Sequence, residues 1–362
     1  MFVGLLLVLV IFITAIIIFT KTAPQFGAVP QNERLEEIKQ SPNYKEGQFV
    51  NLVETNMEMG LSRLPEMIMA YITNKEQKTP ESPLPVKWEM GNEMKADSMI
   101  FLTWFGHSAF LLEWEGLRIL LDPMLGSSSA PVSFMTPRFP YERGIDLNGI
   151  KDIDAVLISH DHYDHLDYET IKAIAQEVGH FYVPLGVGEH LQRWGVPKEK
   201  ITELDWWQSA SHGPLEFVAA PARHFSGRGF SDRNKTQWAS WVVRGESKNI
   251  YFSGDGGYAP HFTTIGEKYG PFDFAMIECG QYNIRWANIH MMPEESVQAA
   301  VDLRAKKMMP IHWGAFNLAL HDWRDPVIRS KAAAEEKGIP LIHPFIGERF
   351  SLTQDNLGTE WW

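Results

Sequence analysis

The longest apolar run of the chain lies at its N-terminus. Residues 2–20 contain no charged side chain and consist mostly of Leu, Ile, Val and Phe. At about 1.5 Å of rise per residue, a helix of this length crosses the hydrocarbon core of a bilayer. No basic residue precedes the run and no small-residue cleavage site follows it, which favours a membrane anchor over residues 1–20 rather than a signal peptide or a buried core helix. Lys21 and Arg34 follow the anchor, and this asymmetry favours a single-pass topology with the body of the chain on the cytoplasmic side.

Residues 21–95 predict an accessory region between the anchor and the rest of the chain. Prolines and polar stretches interrupt it, as is typical of loops and linkers. Apolar residues at helical spacing predict one short amphipathic helix within it, over residues 54–72. The apolar side of this helix consists of Leu61, Leu64, Ile68 and Met69.

From residue 99 onward, short apolar runs alternate with turns, which predicts β-strands. These runs are residues 100–104, 109–114, 117–121, 155–158, 215–220, 238–243, 249–252, 274–277 and 308–311. Helical patterns lie among them at residues 168–178, 294–303 and 326–337. Strands early and late with interleaved helices predict an α/β fold of two packed sheets covered by helices. We place this domain at residues 96–350, followed by a C-terminal tail at 351–362.

Composition narrows the class of protein. Hydrophobic residues make up 44% of the chain and charged residues 22%, a balance typical of a globular protein with a sizeable core. The formal net charge is -12 and there is no run of Lys or Arg, so we expect no nucleic-acid partner. Cys279 is the single cysteine, which excludes an intramolecular disulfide and a Cys-rich zinc site.

A dense group of metal-ligand side chains follows the apolar run 154–159. The group is His160-Asp161-His162-Tyr163-Asp164-His165. Imidazole and carboxylate together suit zinc, iron or manganese. The His-x-His pair can bring two imidazoles to one ion, and the Asp-His pair after it can turn toward a second ion. A His-rich solvated loop is the plain alternative, but the position at a strand end favours a metal site.

Further ligands should also lie at strand ends, and three residues do. His224, Asp255 and His312 each follow an apolar run, although a single histidine in such a place is often only structural. Asp255 lies in a Gly-Asp-Gly-Gly turn, where the backbone can approach a ligand closely. A Gly-x-Ser-x-Gly elbow and a Walker-type phosphate loop are absent, and Cys279 lies in an apolar run typical of a buried, inert thiol.

The cluster matches the H-x-H-x-D-H signature and therefore resembles the metallo-β-lactamase fold superfamily. Three further segments are similar to those of the N-acyl-phosphatidylethanolamine-hydrolysing phospholipases D. They are Asp205-Trp206-Trp207, His290 with Pro293-Glu294-Glu295, and Ile311-His312-Trp313-Gly314. The resemblance covers about residues 100–330 and does not extend to the region before residue 96, nor to the N-terminal apolar span.

The resemblance implies an αββα sandwich with two Zn²⁺ per chain, with iron or manganese as alternatives. It implies that His160, His162 and His224 hold one ion, that Asp164, His165 and His312 hold the other, and that Asp255 bridges them. Asp122 and His107 would orient ligands from behind. His290 would act near the substrate phosphate, with a purely structural histidine as the alternative. Tyr258 and Trp313 would bind substrate.

The expected activity is phosphodiester hydrolysis by a metal-bridging hydroxide, giving phosphatidic acid and an N-acylethanolamine. The expected partners are a phospholipid substrate and a lipid bilayer around residues 2–20. A homodimer is a further possibility that the sequence does not decide. Other members of the superfamily open lactones, β-lactams, thioesters or cyclic nucleotides, and fold alone does not decide among them. A diiron redox protein on the same ligands and a non-catalytic membrane scaffold are the alternatives from other classes.

Overall fold

Two β-sheets form the centre of the protein. The computed structural model describes residues 2–56, 64–88, 99–353 and 358–362. The strands are β1 (Tyr44–Lys45), β2 (Gln48–Phe49), β3 (Phe101–Trp104), β4 (Phe110–Trp114), β5 (Leu117–Leu121), β6 (Ile153–Leu157), β7 (Val178–Pro184), β8 (Ile201–Leu204), β9 (Ser209–His212), β10 (Leu215–Ala220), β11 (Ser240–Arg244), β12 (Asn249–Phe252), β13 (Phe274–Glu278), β14 (Met308–Ile311) and β15 (Arg349–Ser351). One sheet has seven strands in the order β15-β3-β4-β5-β6-β7-β8, and the other has six in the order β14-β13-β12-β11-β10-β9.

Helices cover the outer faces of both sheets. The helices of the described residues are α1 (Phe2–Thr22), α2 (Asn32–Ile38), α3 (Leu64–Thr73), α4 (Tyr168–Ile174), α5 (Gly188–Arg193), α6 (His261–Tyr269), α7 (Pro293–Asp302) and α8 (Asp325–Lys337), and the last five cover the sheets. Side chains of α4 and α5 pack with the seven-stranded sheet, and those of α6, α7 and α8 pack with the six-stranded sheet. The predicted αββα sandwich is therefore confirmed.

The alternation of side chains along each strand builds the three layers of the core. In β4, Phe110 and Leu112 point into the layer between the sheets, whereas Leu111 points to the layer under α4 and α5. In β11, Trp241 enters the central layer and Val242 the layer under the other helices. Both faces of these strands are buried, which explains their nearly continuous apolar runs.

The predicted helix over residues 168–178 is wrong in its last turn. Helix α4 ends at Ile174, and Val178 begins β7. Strand β7 pairs in parallel with β6, so its backbone hydrogen bonds are made in the sheet. The sequence patterns also missed β1, β2, β7, β8, β9 and β15, as well as α2, α5 and α6, because these elements are short or follow one another without a marked turn.

The segment after α1 lies on the sandwich. Ile38, Phe49 and Leu84 are buried in the central layer. Of the helix predicted over 54–72, residues 57–63 fall outside the described part of the chain, residues 64–72 lie in α3, and residues 54–56 are not helical. The side chains of Ile68 and Met69 on α3 are 51% and 60% exposed, so this part of the predicted apolar side faces outward.

Candidate metal centre

The direction of the strands brings the candidate ligands to one edge of the sandwich. Strands β10, β12, β13 and β14 run in the same direction, so their carboxyl ends meet. His224 follows β10, Asp255 follows β12 and His312 follows β14. The loop with His160 to His165 follows β6 of the facing sheet. Ligands that are far apart in sequence therefore face one another across the two sheets.

The first group consists of His160, His162, His224 and Asp255, whose ligand atoms all lie within 4.8 Å of one another. Nδ1 of His162 is 2.9 Å from Nε2 of His160 and 3.2 Å from Nε2 of His224. Three ligand nitrogens about 2 Å from a tetrahedral metal ion would lie roughly 3.3 Å apart. The spacing of the three imidazoles therefore fits one ion.

The second group contains Asp164, His165 and His312, with Asp255 beside them. Nε2 of His165 is 3.6 Å from Oδ2 of Asp164, and Nε2 of His312 is 3.9 Å from the same oxygen. Oδ2 of Asp255 is 3.1 Å from Nε2 of His165, and Oδ1 is 3.2 Å from Nδ1 of His312. Oδ2 of Asp255 also lies 3.8 Å from Nε2 of His160 and of His224, so the carboxylate stands between the two groups.

Two buried atoms test whether the site suits metal ions. Nε2 of His165 and Oδ1 of Asp255 are buried and have no hydrogen-bond partner within the described residues. An orphaned buried polar atom is costly unless another partner satisfies it. Both atoms point into the group of ligands, so a pair of divalent ions would satisfy them, and the residues present fit such a pair.

The electrostatics of the site favour metal-binding forms of the ligands. Burial lowers the pKa of the ligand histidines His160, His162, His224 and His312, to about 4 for His162 and well below the ordinary value for the others. Their imidazoles are therefore neutral at pH 7, the form that binds metal. Burial opposes protonation of His165 too, but the nearby carboxylates of Asp255 and Asp164 outweigh it and raise its pKa well above the ordinary value. A metal ion must displace this proton.

Hydrogen bonds behind the loop fix the direction of its ligands. Oδ2 of Asp122 is 2.7 Å from Nδ1 of His165 and accepts from the Ser159 hydroxyl at 2.5 Å. The same hydroxyl lies 2.9 Å from Nδ1 of His160. Nε2 of His107 lies 2.9 Å from Oδ2 of Asp164. Asp122 and His107 thus contact ligand side chains from the side away from the cavity, as the resemblance implies. Ser159 has the same role, which the sequence did not predict.

A residue of the N-terminal region holds His224 in the same way. The Asn51 amide donates to the backbone carbonyl of His224 at 2.8 Å, and the backbone N–H of His224 donates to Oδ1 of Asn51 at 3.1 Å. Nδ1 of His224 lies 3.0 Å from the carbonyl oxygen of Ile289. Asn51 is 173 residues from His224, and no local pattern in the sequence marks it.

A cavity of about 320 Å³ opens onto the metal ligands. Its polar lining includes His162, Asp164, Asp255, His290 and His312, and its apolar lining consists of Phe225, Trp286, Ile289 and Leu318. Polar groups on one side and apolar walls on the other are typical of a site for a ligand with a polar head and an apolar body.

His290 lies in this cavity and is backed by a buried acid. Nδ1 of His290 is 2.8 Å from Oε1 of Glu278, whose other oxygen accepts from the backbone N–H of Met291 at 3.0 Å. Burial raises the pKa of Glu278 well above its ordinary value and lowers that of His290. Sequence reasoning missed Glu278, although its position at the end of β13, between two strands that precede ligands, was a usable signal.

Two residues expected to bind substrate lie elsewhere. The Tyr258 hydroxyl donates to Oδ2 of Asp302 at 2.5 Å, and Tyr258 is not among the described residues that line the cavity. Trp313 is 1% exposed, donates to the Pro310 carbonyl at 2.9 Å and packs against Trp104. The geometry therefore lends no support to a substrate-binding role for Tyr258 or Trp313, and that role stays a prediction.

Comparison with known proteins agrees with this geometry. Residues 117–313 match the family model described as the β-lactamase superfamily domain. The chain belongs to this superfamily. The resemblance expected from the H-x-H-x-D-H motif is thereby confirmed, and with it a metallo-hydrolase family whose His/Asp cluster suits a metal ion.

Individual relatives of this metallo-β-lactamase-fold hydrolase are informative to different degrees. An uncharacterized protein of Mycobacterium tuberculosis is 42% identical over 330 residues, 90% of this chain and 88% of that protein. N-acyl-phosphatidylethanolamine-hydrolyzing phospholipase D 1 of Caenorhabditis elegans is 32% identical over 280 residues, 73% of this chain and 79% of that protein. The crystal structure of CmlA, a diiron β-hydroxylase from Streptomyces venezuelae, superposes with a TM-score of 0.53 at 19% identity, over 70% of this chain and 54% of that one. This last likeness concerns the fold alone.

Proposed function

We propose that this chain is a membrane-anchored phospholipase D-type hydrolase that holds two Zn²⁺ and cleaves N-acyl-phosphatidylethanolamine to phosphatidic acid and an N-acylethanolamine. The observation that carries the proposal is the cavity in which two convergent ligand groups share Asp255 beneath apolar walls. The similarity to the Caenorhabditis elegans phospholipase supports the choice of substrate.

Each of the two ligand groups would hold one metal ion. When bound, the two ions would supply a water of strongly lowered pKa and neutralise charge on the phosphate. His160, His162 and His224 would hold one of them, and Asp164, His165 and His312 the other. The Asp255 carboxylate lies between the two groups, because its Oδ2 is 3.1 Å from Nε2 of His165 in one group and 3.8 Å from Nε2 of His160 and of His224 in the other.

His290 is placed to act on the substrate. The Glu278 contact occupies Nδ1 of His290 and leaves Nε2 available to a ligand in the cavity. From there the ring can donate a hydrogen bond to a phosphoryl oxygen or move a proton to the departing alkoxide oxygen. The apolar walls at Phe225 and Trp286 would take the first methylenes of an acyl chain and keep water from the phosphate.

The N-terminal helix supports a lipid substrate. Within α1, residues Gly4–Thr22 are long and apolar enough to cross a membrane, and their apolar side chains are exposed. A tether of this kind would keep the enzyme at the surface where its substrate resides and raise the effective concentration of both. Lys21 at its end favours the cytoplasmic side for the hydrolase domain.

The test is an assay of the zinc-loaded full-length chain on N-acyl-phosphatidylethanolamine in mixed micelles, with mass spectrometry of the products. We expect phosphatidic acid and an N-acylethanolamine, and loss of both after chelation. Parallel assays use a generic phosphodiester, a lactone, a cyclic nucleotide and a chromogenic β-lactam. Turnover of one of these without turnover of the phospholipid would overturn the substrate assignment, and iron rather than zinc in the purified protein would direct attention to redox chemistry.

A further inference from the structure

The base of the anchor helix is held firmly against the hydrolase domain. After α1 ends at Thr22, a 3-10 turn over Pro24–Phe26 follows. The Arg193 guanidinium donates to the Thr22 carbonyl at 3.1 Å, and the Trp194 indole N–H donates to the Pro24 carbonyl at 2.7 Å. The direction in which the chain leaves the domain is thereby fixed.

Gln25 joins this turn to two surface loops. Its side-chain amide donates to the Pro131 carbonyl at 2.8 Å, and its own carbonyl accepts from Nε of Arg228 at 2.9 Å. Pro131 lies at the tip of the loop over residues 126–137, whose two arms meet at a bridge between Ser128 and Pro137. Arg228 lies in the loop over residues 227–233. Both loops therefore stand beside the base of α1.

The tips of these loops expose large apolar side chains. Phe134 is 82% exposed and Met135 50% on the first loop, and Phe230 is 87% exposed on the second. We call these three residues the anchor rim. Exposed apolar groups on a surface usually mark a contact, and the bonds of Gln25 place both loops beside the base of α1, whose own apolar side chains are exposed. Lys21 and Arg193, both exposed, add positive charge at the base of α1, which suits anionic lipid headgroups.

The same contacts reach the metal-ligand loop. The Phe26 ring packs edge-on against Tyr163 with centroids 6.2 Å apart, and the Arg228 guanidinium lies 4.0 Å from the centre of the Tyr163 ring. Arg228 also donates to the carbonyls of Asp161 and Leu166 at 2.6 and 2.7 Å. Tyr163 lies between the ligands His162 and Asp164, so one packed unit connects the base of the anchor to the metal centre.

We propose that the anchor rim enters the interfacial region of the lipid bilayer and that, with Lys21 and Arg193, it holds the hydrolase domain against the membrane with the ligand loop next to the lipid surface. The partner of this surface is the lipid bilayer, because both loops bond to the turn that directly follows the apolar helix, and that helix would need a bilayer at the same place. The inference rests on the anchoring part of the proposed function and is independent of the substrate.

Site-specific fluorescence tests the inference. Cys279 is buried, and burial raises the pKa of its thiol, so a thiol-reactive probe will leave it unlabelled. We would label Phe134→Cys and Phe230→Cys with an environment-sensitive NBD probe in the zinc-loaded full-length chain, with one chain per nanodisc of phosphatidylcholine and phosphatidylglycerol. Val10→Cys reports insertion of α1, and Ile328→Cys, at a 49% exposed position on α8, reports water.

We expect the probes at 134 and 230 to be quenched by brominated lipids and to resist iodide several-fold better than the probe at 328. If iodide quenches the probes at 134 and 230 as strongly as the probe at 328 while the probe at 10 lies in lipid, the membrane contact of the anchor rim is refuted and the insertion of α1 is supported. If the probe at 10 is in water as well, both the membrane anchoring by α1 and the membrane contact of the anchor rim are refuted. Protection that appears only in discs with two chains would assign the rim to a second copy and overturn the inference. None of these results depends on which substrate the enzyme hydrolyses.

Discussion

The candidate metal centre combines residues of two different origins. His160, His162, Asp164 and His165 come from one loop after β6, whereas His224, Asp255 and His312 come from three separate strand ends of the other sheet. The loop is supported from directly behind by Asp122, Ser159 and His107. The dispersed ligands depend on distant parts of the chain: Asn51 holds the backbone of His224, and the His312 backbone N–H donates to the His107 carbonyl at 3.0 Å.

The difference shows where the site is vulnerable. Adjacent ligands share one backbone turn, so contacts from elsewhere in the fold orient their side chains but do not bring them together. Dispersed ligands meet only if strand register and long-range contacts are kept. Substitutions on the two sides of the site should therefore affect metal binding and stability differently.

The largest effect is expected from removing a ligand of the loop. His162→Ala should abolish turnover and lower the metal content, because Nδ1 of His162 lies between the nitrogens of His160 and His224. Metal analysis and the product assay measure both. His212→Ala is the matched control, since this histidine contacts Tyr182 on an edge strand away from the site. Retention of two metal ions and of activity by His162→Ala would refute the ligand assignment.

Removal of the cavity imidazole should separate chemistry from metal binding. His290→Gln should lower kcat by roughly 100-fold or more, as expected for loss of a positioned proton donor, while two metal ions remain bound. Glu278→Gln should give a smaller loss of the same kind, because Glu278 acts only by positioning His290. Steady-state kinetics beside metal analysis checks this, and loss of metal from His290→Gln would show that His290 is a ligand instead.

Support behind the loop should matter for affinity. Asp122→Asn should weaken metal binding about 10- to 100-fold, the usual effect of removing a carboxylate behind a ligand histidine. Titration with a competing chelator gives the affinity. Asp273→Asn, which removes a carboxylate bonded to Asn249 and Lys306 on the surface, serves as the control. Equal affinities for the two variants would contradict the role given to Asp122.

Support for the dispersed ligands should affect folding as well as metal. Asn51→Ala should lower the free energy of unfolding by about 1–3 kcal/mol, because it leaves buried backbone groups of His224 without partners, and it should weaken the ion held by His160, His162 and His224. Denaturant unfolding and metal stoichiometry measure the two effects. Asn148→Ala in an exposed turn is the control. Weakened metal binding with unchanged stability would contradict this prediction and would show that Asn51, like Asp122, affects only the metal ligands.

The smallest effect is expected at Tyr258. Tyr258→Phe removes a hydroxyl that bonds Asp302 and not the cavity, so KM should stay unchanged and stability should shift by no more than about 1 kcal/mol. Kinetics on the phospholipid and thermal unfolding check both. A clear rise in KM would restore the role that the sequence resemblance gave to this tyrosine.

Much of the fold was predictable because its signals are local. Apolar runs of four to six residues marked most strands of the two sheets, and the hydrophobic periodicity found α7 and α8 to within a residue or two. Short elements such as β8 and α5 were missed, since they carry too few residues for a period to stand out. Helix α4 was extended too far because the apolar residues of β7 follow it almost directly.

The sequence by itself determined that this protein has an apolar helix long enough to cross a membrane and a cluster of metal-ligand side chains at the end of a strand, because both are dense and contiguous. Only the tertiary structure decided that His224, Asp255 and His312 meet that cluster. It also decided that Asn51 holds His224, that Glu278 holds His290, and that Tyr258 and Trp313 point away. These outcomes depend on strand direction and on which buried groups find partners across the fold, and neither is written in any short stretch of the chain.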